Sequence, residues 1–357
     1  MTHKKTVAVA MSGGVDSSVC AYLIKQSGFD LFGATMKLYT PCSENNTERP
    51  CGTDKDIADA KATCDDLGIS HSVYDFSCAF KEKVIDNFTK TYISGGTPNP
   101  CIECNRYLKF DKLFEAAKLE GADMIATGHY ARIEKGENGR FLLRRAKDEN
   151  KDQSYVLWTL SQETLARTLL PLGEFTKDEI RAIAAEQGFI NANKGDSQDI
   201  CFVPDGDYAS FIMRETGYES KAGDYLDIDG NVIGKHKGVI HYTIGQRKGL
   251  GISMGRHIFV ASKNPEENTV TLADEEFIFS DTVILKGTNL ISVEKITEPI
   301  RVEAKLRYKQ RPAKCTAIQT GEDEITLVFD EKQRAPAKGQ SAVIYDGEYV
   351  VGGGIIQ

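Results

Sequence analysis

The stretch TVAVAMSGGVDSSVCAYLIKQSG, residues 6–28, constrains the fold of this chain more than any other. A β-branched and apolar run breaks at Ser12-Gly13-Gly14, after which Val15, Val19, Tyr22 and Leu23 recur at helical spacing up to Gly28. A strand that passes into a helix through a glycine loop gathers backbone N–H groups and the positive end of the helix dipole at one point, which suits bound phosphate. Gly13 and Gly14 let the backbone approach an anion closely, and Ser12 and Ser17 offer hydroxyls. Asp16 would repel phosphate on its own, so a bridging Mg²⁺ is the natural way to make it useful. GxxxxGK followed by Ser or Thr is absent, which excludes a P-loop phosphoryl-transfer site. Taken as two glycines alone, the feature reads equally well as a tight turn that starts a helix.

Strands and helices then alternate. FDLFGATMKL, HSVYDF and DMIATGHYA read as strands; KDIADAKATCDDLG, AFKEKVIDNFTKTYISGG and LKFDKLFEAAKLEGA read as helices. Cys101 and Cys104 stand in CxxC spacing in the loop before the last of these helices. FTKDEIRAIAAEQGF, residues 175–189, starts on Thr176 and Glu179 in capping-box spacing. The alternation predicts an α/β, Rossmann-like parallel sheet with helices on both faces and ligands at the carboxyl ends of its strands. Beyond about residue 205 the texture becomes short alternating runs, with turns at Asp229-Gly230 and Asp346-Gly347. The expected division is a nucleotide-handling domain over 1–205, a small mainly β linking domain over 206–270 and a C-terminal β-barrel over 271–357.

Composition narrows the classes. Hydrophobic residues at 41% and charged residues at 27% belong to a soluble globular chain. No apolar run approaches the roughly 18 residues of a membrane span, and the apolar run at the N-terminus is too short for a secretory signal. A cytoplasmic setting is expected, where the nine cysteines stay reduced. They are then candidates for catalysis or metal binding, although most free cysteines are small buried hydrophobes. The net charge of −8 argues against a surface wholly built for nucleic acid. RVEAKLRYKQRPAK, residues 301–314, departs from it with six basic residues against Glu303. Val302, Ala304, Leu306 and Tyr308 alternate there with charged residues, which predicts a strand over 301–309 with one basic face.

SGGVDSS after an N-terminal strand resembles the PP-loop of ATP pyrophosphatases, enzymes that cleave ATP between its α and β phosphates and adenylate a substrate oxygen. GGTPNPCIECNRYLKF, ATGHYA, KDQSYVL, GDSQDICFV and GQRKGLG follow in that order. Together they are similar to the tRNA 2-thiouridylase family over nearly the whole chain. That resemblance implies ATP- and Mg²⁺-dependent adenylation of the C2 oxygen of the wobble uridine, then sulfur transfer from a cysteine persulfide, giving 2-thiouridine, AMP and pyrophosphate. It implies tRNAs of the Lys, Glu and Gln type as substrates, a cysteine desulfurase or relay protein as sulfur source, and no membrane. By resemblance Cys104 is the nucleophile and Cys201 the persulfide carrier. Ala10, Met11, Ser12, Gly13, Gly14, Val15, Asp16, Ser17, Met36 and Gly128 match the ATP site. Asn99, Pro100, Cys101, His129, Lys151, Asp152, Gln153, Arg307, Tyr308 and Gln340 match positions facing tRNA. Each also has a plainer reading: Met36 as core, His129 as a strand-end histidine, Lys151-Asp152-Gln153 as a polar turn, Arg307 on a solvated strand face. In a regular strand Tyr308 and Arg307 point to opposite faces, so the family role of Tyr308 requires an irregularity.

Cys101 departs from the family pattern, which commonly has aspartate there. It stands in as a polar neighbour of the substrate base, serves as an alternative resolving thiol, or joins Cys104 and Cys201 in an iron–sulfur cluster of the 4Fe–4S type with one iron open. Zinc would need a second ligand pair, and Cys42 and Cys51 have the wrong spacing. Two other functions compete: a PP-loop ligase or amidotransferase acting on a small molecule, which needs neither the paired cysteines nor the basic segment, and a non-catalytic RNA-binding protein with a decayed loop, against which the intact SGGVDSS, Cys104 and Cys201 argue.

Overall fold

A computed structural model describes residues 4–39, 52–192, 194–195 and 200–357. Cys42, Cys51 and residues 196–199 of the GDSQDICFV segment lie outside the described residues. In the N-terminal domain β1 (Thr6–Ala10), α1 (Val15–Gln26), β2 (Asp30–Lys37), α2 (Asp54–Asp66) and β3 (His71–Asp75) follow in order. A helical stretch over 77–93 and another over 100–119 precede β4 (Met124–Ala126). A hairpin of β5 (Ala131–Lys135) and β6 (Phe141–Arg145), the short β7 (Thr168–Leu169) and the helix Lys177–Glu186 complete it. The sheet runs β3-β2-β1-β4-β7 with all pairs parallel, as the strand–helix alternation predicts. Val7 and Val9 bury into one core cluster beside α1 and Ile180, whereas Ala8 buries into another with Phe32 and Phe110. The central strand is therefore apolar on both faces, which requires helices above and below it.

The next layer holds the helix Tyr208–Thr216 and the strands β8 (Gly223–Leu226), β9 (Val232–His236), β10 (Phe259–Asn264) and β11 (Thr269–Ala273), ordered β10-β11-β8-β9. Its core is shared with the helical stretch 77–93: the Phe88 ring meets the edges of Phe202 at 5.2 Å and Phe211 at 6.0 Å. Then come β12 (Phe279–Leu290), β13 (Ile300–Lys305), β14 (Ala313–Gly321), β15 (Glu324–Arg334), β16 (Ser341–Asp346) and β17 (Tyr349–Ile356). They pair in the order β12-β15-β14-β13-β16-β17, and β12 pairs back onto β17, closing a six-stranded barrel. The turns at Asp229-Gly230 and Asp346-Gly347 connect antiparallel neighbours, as expected.

Three features differ from the sequence expectations. The CxxC lies on a helix, because Asn99 caps the segment Pro100–Glu103 through its side chain and Pro100 occupies the first turn, where a missing N–H costs nothing. The strand expected over 301–309 ends at Lys305, and the chain turns through Leu306–Tyr308. This turn is the irregularity that a shared site for Arg307 and Tyr308 requires. The third feature is the β5–β6 hairpin, which leaves its own domain and pairs with β17 at Tyr349 opposite Arg144, so barrel and N-terminal domain share one sheet.

Candidate active site

The loop between β1 and α1 is built for close approach. Gly13 sits at φ +68°, and a Cβ there would stand 2.4 Å from the Asp56 carbonyl oxygen. Gly14 caps α1 with no side chain bonded to the first-turn N–H groups, and Ser12 is exposed beside them. Ser17 Oγ accepts from the Ser12 N–H at 3.2 Å and donates to Gly14 O at 2.9 Å, fixing the turn. Asp16 has its own cation: Lys177 Nζ donates to both carboxylate oxygens at 2.8 and 2.9 Å, and Tyr130 OH donates at 2.7 Å. The Asp16 carboxylate is thus paired within the protein by Lys177 and Tyr130. Gly128 packs on Asp16 so closely that a Cβ would stand 2.9 Å from the Asp16 carbonyl carbon. Lys194 Nζ bonds Gly13 O, Asp56 and Asp59, and Asn191 bonds Gly13 O and Ser18, holding the loop from behind. Sequence reading missed Lys177, Asn191 and Lys194, which lie at least 161 positions from the loop residues they hold. Nothing local marks such partners.

A second group gathers at the seam with the barrel. Cys101 is exposed and Cys104 half-buried, with Ile102 fully buried between them. Cys104, Cys201 and Met36 border one hydrophobic cluster, although Cys201 belongs to a segment almost a hundred residues later. Met36 also borders the neighbouring cluster, which Ala10, Tyr308 and the buried Ile102 join. Gln340, from the barrel, donates its amide to Thr97 O at 2.9 Å and Pro98 O at 3.3 Å, and the Thr97 N–H donates to Lys338 O at 2.8 Å. The barrel thereby grips the turn that leads into the cysteine-bearing helix.

The remaining predicted residues divide. His129 is buried, its Nδ1 lies 2.7 Å from Thr127 Oγ1, and burial followed by the charge of Lys109 holds its pKa well below the usual histidine range. Asp152 turns inward: its oxygens accept from Ala146 N, Ser154 N and Ser154 Oγ. Gln153 is bonded to Tyr130 through both backbone and side chain. Gln153 thus braces the entry to β5 and Asp152 the exit from β6, and Lys151 beside them is half-buried. Arg307 donates to Ala335 O at 2.6 Å, and Arg334 reaches Gly245 O of the GQRKGLG segment at 3.3 Å, so the start of that segment positions the linking layer on the barrel. The six basic residues of 301–314 do not form one stripe, since Arg301 pairs with Asp330 and Lys305 and Arg307 are half-buried.

Burial pushes the thiols of Cys20, Cys64 and Cys315 up, to about 11 for Cys64 and about 12 for Cys315, so these are packing residues. Among the described residues no three His, Cys, Asp or Glu side chains are grouped as a metal ion requires. Cys101, Cys104 and Cys201 are among the residues described, and no such group is found at them. No described helix is long and apolar enough to cross a membrane.

The family model described as the tRNA methyl transferase HUP domain matches residues 5–205. The tRNA methyl transferase PRC-barrel domain matches 210–274, and the aminomethyltransferase beta-barrel domain matches 280–356. A Clostridioides difficile (strain 630) protein named tRNA-specific 2-thiouridylase MnmA is 49% identical over 358 residues, covering 100% of this chain and 99% of its own length. A protein of the same name from Clostridium perfringens (strain 13 / Type A) is 49% identical over 355 residues, covering 99% of each chain. Another, from Lachnoclostridium phytofermentans, is 46% identical over 355 residues, again covering 99% of each.

Proposed function

The chain belongs to the tRNA-specific 2-thiouridylase family, and from that premise we propose that it thiolates the wobble uridine of tRNA at C2, with ATP as activator and a cysteine persulfide as sulfur source. Uridine O2 is a poor leaving group and must first be activated. O2 attacks the α-phosphorus of ATP, pyrophosphate leaves, and an O-adenylated base remains. The free N–H groups at the start of α1, Ser12 and the Gly13-Gly14 backbone face the phosphates, where Mg²⁺ carried on the nucleotide would offset their charge. Met36 and Gly128 border the nucleotide.

The terminal sulfur of a persulfide on Cys201 then adds to C2, and AMP departs with the former O2. The Cys104 thiolate attacks the Cys201 sulfur, the S–S bond breaks, and sulfur remains on the base as 2-thiouridine. Cys104 and Cys201 are left joined as a disulfide, which a thiol reductant reopens. The observation that carries this reading is that Cys104 and Cys201 border one cluster together with Met36. Wobble-base access requires the nucleotide to leave the anticodon stack, and Cys101 and Tyr308 line the seam that receives it. Asn99 and Pro100 shape that seam, with His129, Lys151, Arg307 and Gln340 around it. Substrate tRNAs of the Lys, Glu and Gln type, and a cysteine desulfurase or relay protein in the cytoplasm, complete the reaction.

The test is in vitro thiolation of an unmodified tRNA transcript with ATP and a persulfide donor, read by nucleoside mass spectrometry. The expected product is 2-thiouridine at the wobble position, formed with AMP and pyrophosphate and abolished without ATP. Sulfur at another base, or thiolation indifferent to ATP, would overturn the reading.

A further inference from the structure

At the seam between barrel and N-terminal domain, the Lys305 ammonium lies 5.7 Å from the Tyr155 ring centre and 5.8 Å from that of Tyr308. It is half-buried, and among the described residues it has no hydrogen-bond acceptor and no carboxylate within ion-pair distance. Other lysines removed from water are different. Lys177 holds Asp16, Lys194 holds Asp56 and Asp59, and Lys263 donates to Tyr242 O. The carboxylate close enough to influence Lys305, that of Asp152, is already occupied by Ala146 N, Ser154 N and Ser154 Oγ. Around it stand two further cations. The Arg145 guanidinium stacks 4.2 Å from the Tyr345 ring centre and reaches Glu303 only at 3.9 Å, and Arg307 is bonded to a backbone carbonyl. A desolvated ammonium without an acceptor is unfavourable, and burial accordingly lowers its pKa. Such a group is complete only when an anion arrives.

We propose that Lys305 seats a backbone phosphate of the tRNA anticodon loop, at the seam beside the cysteine-bearing helix. The inference rests on the proposed tRNA substrate. The placement follows from contacts already described: Ile102, between the two cysteines, is buried in the cluster that holds Tyr155 and borders Tyr308. Cys101 is close enough for its charge to bear on the Tyr308 phenol. A phosphate held on Lys305 between the two tyrosines would fix the nucleotide chain while its base turns toward Cys104. The tyrosine rings support the ammonium by cation–π attraction and leave its donors for the phosphate.

The experiment is a KCl titration of binding to an unmodified tRNA, with wild type, Lys305→Gln and Lys305→Arg compared alongside thermal melts and thiolation. Lys286→Gln, an exposed barrel lysine near Glu324, serves as the control for generic charge loss. Lys305→Gln is expected to weaken binding about tenfold, the scale of one charge-assisted hydrogen bond. It should also reduce the slope of log K against log salt by about 0.7, the loss of one single-strand phosphate contact. Its melting temperature should match or exceed that of wild type, because an unpaired buried charge is removed, and Lys305→Arg should keep the slope. An unchanged affinity and slope in Lys305→Gln, with wild type binding and thiolating normally, would overturn the inference alone. So would a lower melting temperature with an unchanged slope, which marks a purely structural cation–π role. Failure of wild type to bind tRNA at all would bring down the inference together with the proposed function.

Discussion

The loop before α1 and the seam around Cys104, the two regions we propose to receive anions, are assembled in opposite ways. The loop takes its donors from six consecutive residues, Ser12–Ser17, and its shape from a glycine that tolerates no side chain. The seam draws on five separated segments: the 97–104 turn and helix, Tyr155, Cys201, Lys305–Tyr308 and Gln340. A contiguous site can be read as a motif, whereas a distributed one exists only after three layers of structure have packed. The comparison also separates their weak points. The loop should fail by local strain or by loss of an ion pair, the seam by loosened docking of the barrel.

The largest loss should come at the loop. Asp16→Asn breaks the ion pair in which the buried Lys177 ammonium donates to both Asp16 carboxylate oxygens, and removing one partner of such a pair costs about 3 kcal/mol of stability. Thiolation should fall with it, and denaturant unfolding measures the first effect independently of the second. Gly13→Ala forces a left-handed backbone on a residue whose Cβ would meet the Asp56 carbonyl, a cost of about 2 kcal/mol. ATP consumption should fall at least in proportion, while tRNA affinity changes little. If both substitutions left ATP turnover intact, the loop would not be the activating site.

At the seam, Gln340→Ala removes two hydrogen bonds to the 97–98 turn, each worth about 1 kcal/mol. The expected result is roughly tenfold slower single-turnover thiolation with tRNA affinity nearly unchanged, since the side chain acts on the turn. A loss confined to affinity would instead make Gln340 a direct tRNA contact, the role that its sequence position suggested. The smallest effect lies away from both sites. Burial lowers the Lys263 pKa from 10.5 to about 8, so the unfolded chain holds more protons across that interval. Stability of the linking layer should therefore rise, by on the order of 1 kcal/mol, as pH climbs from about 8 to 10.5, the penalty being fully present below that window. Lys263→Met should abolish this rise in a pH series of thermal melts.

The parallel sheet, the hairpins at Asp229-Gly230 and Asp346-Gly347 and the capping box at Thr176 were legible because each depends on a few neighbouring residues. Lys177 was not, since its pairing with Asp16 is decided by how its helix packs on α1 rather than by anything near Lys177 in the chain. The end of β13 at Lys305 was hidden by continued apolar–charged alternation through Tyr308, where packing on Tyr155 and the bond from Arg307 to Ala335 favour a turn. In sequence the CxxC reads as a loop because proline suggests a break, yet behind an Asn cap proline starts a helix. The cysteines themselves were legible as chemistry, and their separation into a nucleophile and a carrier came from family likeness.

The central claim is that Cys104 and Cys201 act as a pair across the seam while the other cysteines serve packing or lie outside the reaction. Single-turnover thiolation of tRNA tests it most directly, with Cys104→Ser, Cys201→Ser and the exposed Cys78→Ser each compared with wild type. Loss of 2-thiouridine formation in the first two, with the Cys78 variant as fast as wild type, is the predicted result. Undiminished thiolation by either the Cys104 or the Cys201 variant would contradict it.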